Sequence, residues 1–207
     1  MRNLIIMAAF LSSIGRLFGD DDKPPYELAE IYTSMRGQVL KLTDKDIREL
    51  KGRPVWAVLM ETGYDGSIVT VVAVAEGTAS LYFSNGGGMI GLGAHANVRP
   101  AALALVKAAE PQLKHMKKTE KFPMPRPGQT IFYVVTPDGV FTYSAKEDDL
   151  GNKRDKLSRL FYDGQELITQ MRIADEKRKA EQDMPSGGHK PSSHASPTSL
   201  STPADAH

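Results

Sequence analysis

The stretch Val55-Trp-Ala-Val-Leu-Met-Glu-Thr-Gly-Tyr-Asp-Gly-Ser-Ile-Val-Thr-Val-Val-Ala-Val-Ala75 decides how this chain folds. Residues 55–62 are apolar on both sides of an extended chain, as a strand at the centre of a covered sheet must be. Gly63-Tyr-Asp-Gly66 has hairpin-turn chemistry, and 67–75 is again β-branched on both sides. Glu76-Gly77 turns the chain into 78–84. There Ala79, Leu81 and Phe83 alternate with Ser80, Tyr82 and Ser84, so one face of this third strand is expected to be wetter. Three strands joined by tight turns make an antiparallel meander.

Outward from the meander the period changes. Upstream, Leu28, Ile31, Tyr32, Met35, Val39 and Leu42 recur at helical spacing over 26–42. Downstream, Ser84-Asn-Gly-Gly-Gly-Met-Ile-Gly-Leu-Gly-Ala-His95 packs glycines at 86, 87, 88, 91 and 93 into a loop ahead of a helix. That helix is read from Val98, Ala102, Leu105, Ala109, Leu113 and Met116. Lys107, Lys114, Lys117 and Lys118 lie off its stripe, and Pro111 is expected to kink or divide it. Residues 122–128 form a proline-rich extended connector. Strands at 129–135 and 140–145 pair through Thr136-Pro-Asp-Gly139. Glu147-Asp-Asp149 then precedes a last helix carrying Leu157, Leu160, Phe161, Leu167, Ile168 and Met171. Helix, three-stranded meander, helix, hairpin, helix predicts an α+β fold: a five-stranded antiparallel sheet with packed helices, in a profilin- or roadblock-like layout.

The chain has 207 residues, 41% of them hydrophobic, but its ends are different in kind. Residues 1–19 read as an amphipathic segment with Phe10, Leu11, Ile14, Leu17 and Phe18 on one side. They offer the sole expected membrane contact, with a signal peptide over 1–15 as the alternative and Met7 as an alternative start. Residues 20–25 are an acidic, proline-closed linker, 26–175 one domain, and 176–207 a tail too polar to repay ordering. Absence of cysteine excludes disulfides, thiolate metal sites and cysteine nucleophiles, and is compatible with a cytoplasmic location. Near-balanced charge, 26 basic against 25 acidic side chains, argues against a dedicated nucleic-acid binder.

The glycine loop is the candidate functional feature. Gly86-x-Gly88-x-x-Gly91 satisfies the dinucleotide string. However, the strand before it belongs to a meander, and the acid required about 20 residues on falls on Glu110-Pro111 inside a helix. Candidate binding residues are Ser84, Asn85, Gly86, Gly87 and Gly88 at the loop, His95 at the helix start, and Glu61, Tyr64 and Asp65 at the end of the first strand. A carboxylate is costly to bury unpaired, so Glu61 reads more simply as exposed at a strand end. Lys114 to Lys121 lack interleaved aromatics and read as a solvated helix end. His115 reads as solvated, and His189, His194 and His207 are too irregular for a metal. No catalytic constellation, metal site or cofactor is expected.

Three blocks, Trp56-Ala-Val-Leu-Met-Glu-Thr-Gly-Tyr64, Ser80-Leu-Tyr-Phe-Ser-Asn-Gly-Gly-Gly88 and Gly164-Gln-Glu-Leu-Ile-Thr-Gln-Met-Arg172, resemble in order an uncharacterised bacterial protein family over residues 54–173. The resemblance implies one compact domain with dispensable ends and brings no activity with it. The expectation is therefore a non-enzymatic bacterial protein-interaction module working through 84–95, with another protein as partner. The alternative is a small-ligand or anion-binding protein, or an enzyme, with its site at that loop.

Overall fold

Strand β1 (Ala57–Tyr64) lies at the middle of one open antiparallel sheet, where the doubly apolar 55–62 stretch places it. The computed structural model describes residues 26–183. The amphipathic segment 1–19, the linker 20–25 and the chain from 184 onward lie outside the described residues. β1 pairs on one side with β2 (Ser67–Val74) and on the other with β6 (Gln129–Thr136). Beyond β2 come β3 (Ala79–Phe83) and β4 (Gly88–Met89). Beyond β6 come β7 (Gly139–Lys146) and β5 (Lys117–Thr119), giving the order β4-β3-β2-β1-β6-β7-β5. The fold is α+β, with seven strands where five are expected, so the profilin- or roadblock-like layout is not matched. The two extra strands are edges two and three residues long, and an edge needs no apolar alternation.

Four α-helices complete the described residues: α1 (Glu30–Leu40), α2 (Val98–Ala109), α3 (Glu147–Gly151) and α4 (Ser158–Asp183). Residues directly opposed in an antiparallel pair share a face, so the register sorts the core. Glu61, Thr70, Tyr82 and Ile131 project to one face. α1 covers part of that face, with Tyr32 hydrogen-bonded to Thr70 at 2.9 Å. Met60, Val71, Leu81 and Phe132 project to the other, where α4 rests Gly164 on Met60 and α2 packs beside α4. With helices on both faces, Ser80 and Tyr82 are buried too, and the wetter face expected of β3 is absent.

Pro111 divides its helix outright. It removes an amide and crowds the preceding turn, so α2 ends at Ala109 and a 3-10 stretch, Glu110–His115, leads into β5. Lys117 and Lys118 are therefore on an edge strand, not a helix end. α4 continues eight residues past 175, where Arg178 and Lys179 pair with Asp175 at helical spacing. No helix among the described residues is long and apolar enough to cross a membrane.

Candidate functional site

The glycine run folds as a hairpin, with β3 and β4 as its arms and a turn over 84–87. The Gly86 amide donates to Phe83 O at 3.0 Å and the Gly87 amide to Asn85 Oδ1 at 3.2 Å, so both are bonded within the turn. Ser84 is buried, its hydroxyl accepting from the Ile68 amide at 3.0 Å. The glycine requirement lies further on. A Cβ at Gly88 would stand 2.4 Å from Leu81 O, and one at Gly93 2.4 Å from Gly77 O. These glycines let backbone approach backbone.

The expected site residues do not converge. Ser84 bonds to Ile68 near the start of β2, the end that also carries Tyr64 and the exposed Asp65. Gly93 packs on the turn leaving the other end of β2, and His95 is two residues beyond it, part-buried, its carbonyl accepting the Val98 and Arg99 amides. The length of β2 separates the two groups, roughly 20 Å at the rise of a strand. Tyr64 donates to Glu147 at 2.8 Å. Burial, then that carboxylate partner, push its hydroxyl up to about 12.

Glu61 overturns the expectation of exposure. It is fully buried in the central strand and is met by Arg36 of α1, Nε to Oε1 at 2.6 Å and Nη2 to Oε2 at 2.9 Å. Burial raises the Glu61 carboxyl above its ordinary value, against the pull of Arg36. Burial also opposes the Arg36 charge, but the bonds and charge of Glu61 more than offset it, holding the guanidinium protonated. Sequence alone offered no pairing signal, because Arg36 is 25 residues away.

From this pair the geometry leads to a groove. Arg36 Nη2 also donates to the Phe122 and Pro123 carbonyls at 3.2 and 3.4 Å, and its guanidinium lies 5.3 Å from the Tyr133 ring centroid. Tyr133 donates to Pro123 O at 2.7 Å, and the Tyr26 hydroxyl donates to Pro125 O. Donors from α1, from β6 and from the chain ahead of α1 thus strap the connector 122–128 over the sheet. The strapped connector makes one wall of a groove beside β6, β7 and β5, of about 780 Å³.

Ile131, Tyr133 and Thr142 contribute to the lining from the sheet. Around them stand Lys117, Lys121, Arg126 and Lys156 with His115, and no acid lines the opening. A shallower space of about 510 Å³ shares Arg126, Gln129 and Ser144 and adds Lys146. These lysines and Arg126 are exposed, and among the described residues none has a salt-bridge partner. Lysine on an edge strand blunts edge-to-edge pairing, which accounts for Lys117. It does not account for Lys121, Arg126 and Lys156, which arrive from two loops at the same opening. Like charges gathered without ion-pair partners repel, so a bound anion is favoured there. Among the described residues, no group of three or more His, Asp or Glu side chains is placed to hold a metal ion. Comparison with protein-family models, with curated proteins and with solved structures returns no match, so the function of this chain is argued from its geometry.

Proposed function

We infer that this chain is a non-enzymatic binding module whose working surface is the cationic groove beside β6, β7 and β5, and that it takes an anionic group of another molecule there. The observation that carries this reading is the convergence of Lys117, Lys121, Arg126 and Lys156 from β5 and two loops on one opening without an acid. A bacterial, cytoplasmic setting is part of the proposal. The test is a titration of the isotope-labelled chain with inorganic phosphate and pyrophosphate, followed residue by residue by NMR. The amides of Lys117, Thr119, Arg126 and Ser144 are expected to shift together, weakly in high salt and strongly in low salt. Lys117→Glu combined with Arg126→Glu should abolish the response. Shifts spread evenly over surface lysines, or none at all, overturn the reading.

A second reading keeps the glycine hairpin as a protein contact. Ile90 is 65% and Ile31 55% exposed. A Cβ on Gly86 would touch Ile31, so an apolar side chain stands open beside the turn. Gly87 is exposed and a Cβ there meets only ordinary contacts, so Gly87→Trp should fold normally and lose any partner that uses this tip. Retention of every partner by that variant removes the hairpin from consideration.

A further inference from the structure

The groove runs along a strand edge that is only partly covered. β6 and β7 keep an unbroken register from Thr136–Gly139 to Gln129–Lys146, and one step further the Glu147 amide donates to Gly128 O at 2.9 Å. Main-chain polar groups point to alternate sides along a strand. Glu147, Ala145 and Tyr143 therefore direct theirs at β6, and Lys146, Ser144 and Thr142 direct theirs away from it. β5 pairs with that outer edge only at Val140, Phe141 and Thr142. Ser144 and Lys146 are exposed, and among the described residues nothing hydrogen-bonds to the Ser144 N–H and C=O or to the Lys146 N–H, while the Lys146 carbonyl caps the start of α3. The space beside this edge belongs to the groove: Tyr143, Ser144 and Lys156 line it, and Lys156 Nζ stands 5.1 Å from the Tyr143 ring centroid.

A bare edge of alternating donors and acceptors is a template for an added strand, and the side chains around it select which strand is added. Here every charged side chain lining the groove is cationic. We propose that an extended, acidic segment of a partner protein adds as a strand along the free edge of β7 at Ser144 and Lys146, with its carboxylates meeting Lys117, Lys121, Arg126 and Lys156. The assignment rests on the groove reading above and gives its occupant a backbone as well as a charge. A lone anion satisfies the lysines but leaves the Ser144 and Lys146 amides and the Ser144 carbonyl wet; an extended acidic chain satisfies both.

The experiment uses the full chain and a short, capped, fluorescein-labelled peptide alternating glutamate and valine, read by anisotropy. Two further peptides carry N-methyl groups on one or the other alternate set of backbone amides. One methylated set should weaken binding by at least about tenfold, as lost backbone bonds would, and the other should leave it unchanged. Ser144→Pro removes an outward amide, which an edge tolerates, and should weaken the parent peptide similarly with an unchanged melting temperature. If both methylated peptides bind like the parent, strand addition is overturned while the anion groove stands. If phosphate still shifts the groove but the peptide does not bind, the site takes small anions and the proposal fails. If Asp20→Asn, Asp21→Asn and Asp22→Asn together tighten the peptide about tenfold, this chain's own acidic stretch competes for the edge and the partner assignment is overturned. Silence toward phosphate and peptide alike defeats the groove reading itself.

Discussion

Arg36 and Glu61 are each nearly or fully buried and make two hydrogen bonds to one another. Taking two charges out of water costs several kcal/mol per ion, recovered only while the geometry holds. Removing one partner is therefore far worse than removing both. Arg36→Met is expected to destabilise the fold by about 3–5 kcal/mol, because it leaves a buried carboxylate without a counter-charge. Arg36→Met with Glu61→Leu should recover most of that loss. Denaturant unfolding of the two variants measures the difference, and equal destabilisation would show that the pair acts as two independent contacts. A second readout tests the link to the groove. Even in the recovered double variant the Phe122 and Pro123 carbonyls lose their Arg36 donor, so phosphate-induced shifts at Arg126 should shrink although stability returns.

Elements differ in how plainly residues announce them. β1 and β2 are visible because they are long, β-branched and covered on both faces, so burial and propensity agree. The β6–β7 hairpin is visible because Pro137-Asp138 sits between two apolar runs. β4 and β5 are not, since Gly88–Met89 and Lys117–Thr119 owe their extended form to neighbours in space. The groove was hidden for the same reason. Its cations are scattered from Lys117 to Lys156 and meet only because β5 doubles back onto β7 and the connector folds over β6. Of the expected site residues, Glu61 reaches this region, through Arg36. The hairpin supplies a sharp test of what its glycines do. Gly88→Ala places a methyl 2.4 Å from Leu81 O, inside contact distance, and should cost about 1–3 kcal/mol of local stability by overpacking. Gly87→Ala meets only ordinary contacts, at 3.4 and 3.5 Å, and should change stability by no more than about 0.5 kcal/mol. Hydrogen exchange at Met89 separates them: fast exchange is expected in Gly88→Ala and slow exchange in Gly87→Ala.

Across the whole molecule tyrosine hydroxyls tie separate elements together. Tyr32 joins α1 to β2, Tyr133 and Tyr26 hold the connector, Tyr64 reaches α3, and Tyr143 donates to Asp155 at 2.9 Å in the loop before α4. Burial, the first cause in each case, raises the hydroxyls of Tyr26, Tyr32, Tyr82 and Tyr133 above their ordinary value. Burial and a carboxylate partner bring Tyr64 and Tyr143 to about 12. A hydroxyl that ionises later in the folded chain than in the unfolded one binds more protons when folded, so stability falls as pH rises across that interval. The contribution is complete below about 10, the unfolded tyrosine value, and is lost as pH climbs through about 12. Absorbance at the tyrosinate band should therefore rise near pH 10 in guanidinium-unfolded chain, but lag well behind it in native chain and then climb steeply as the fold opens. Near-ultraviolet circular dichroism should vanish over that same steep rise. Tyrosines that titrate near pH 10 while the dichroism persists would mean that these hydroxyls are wet and that the straps they form are not closed in solution.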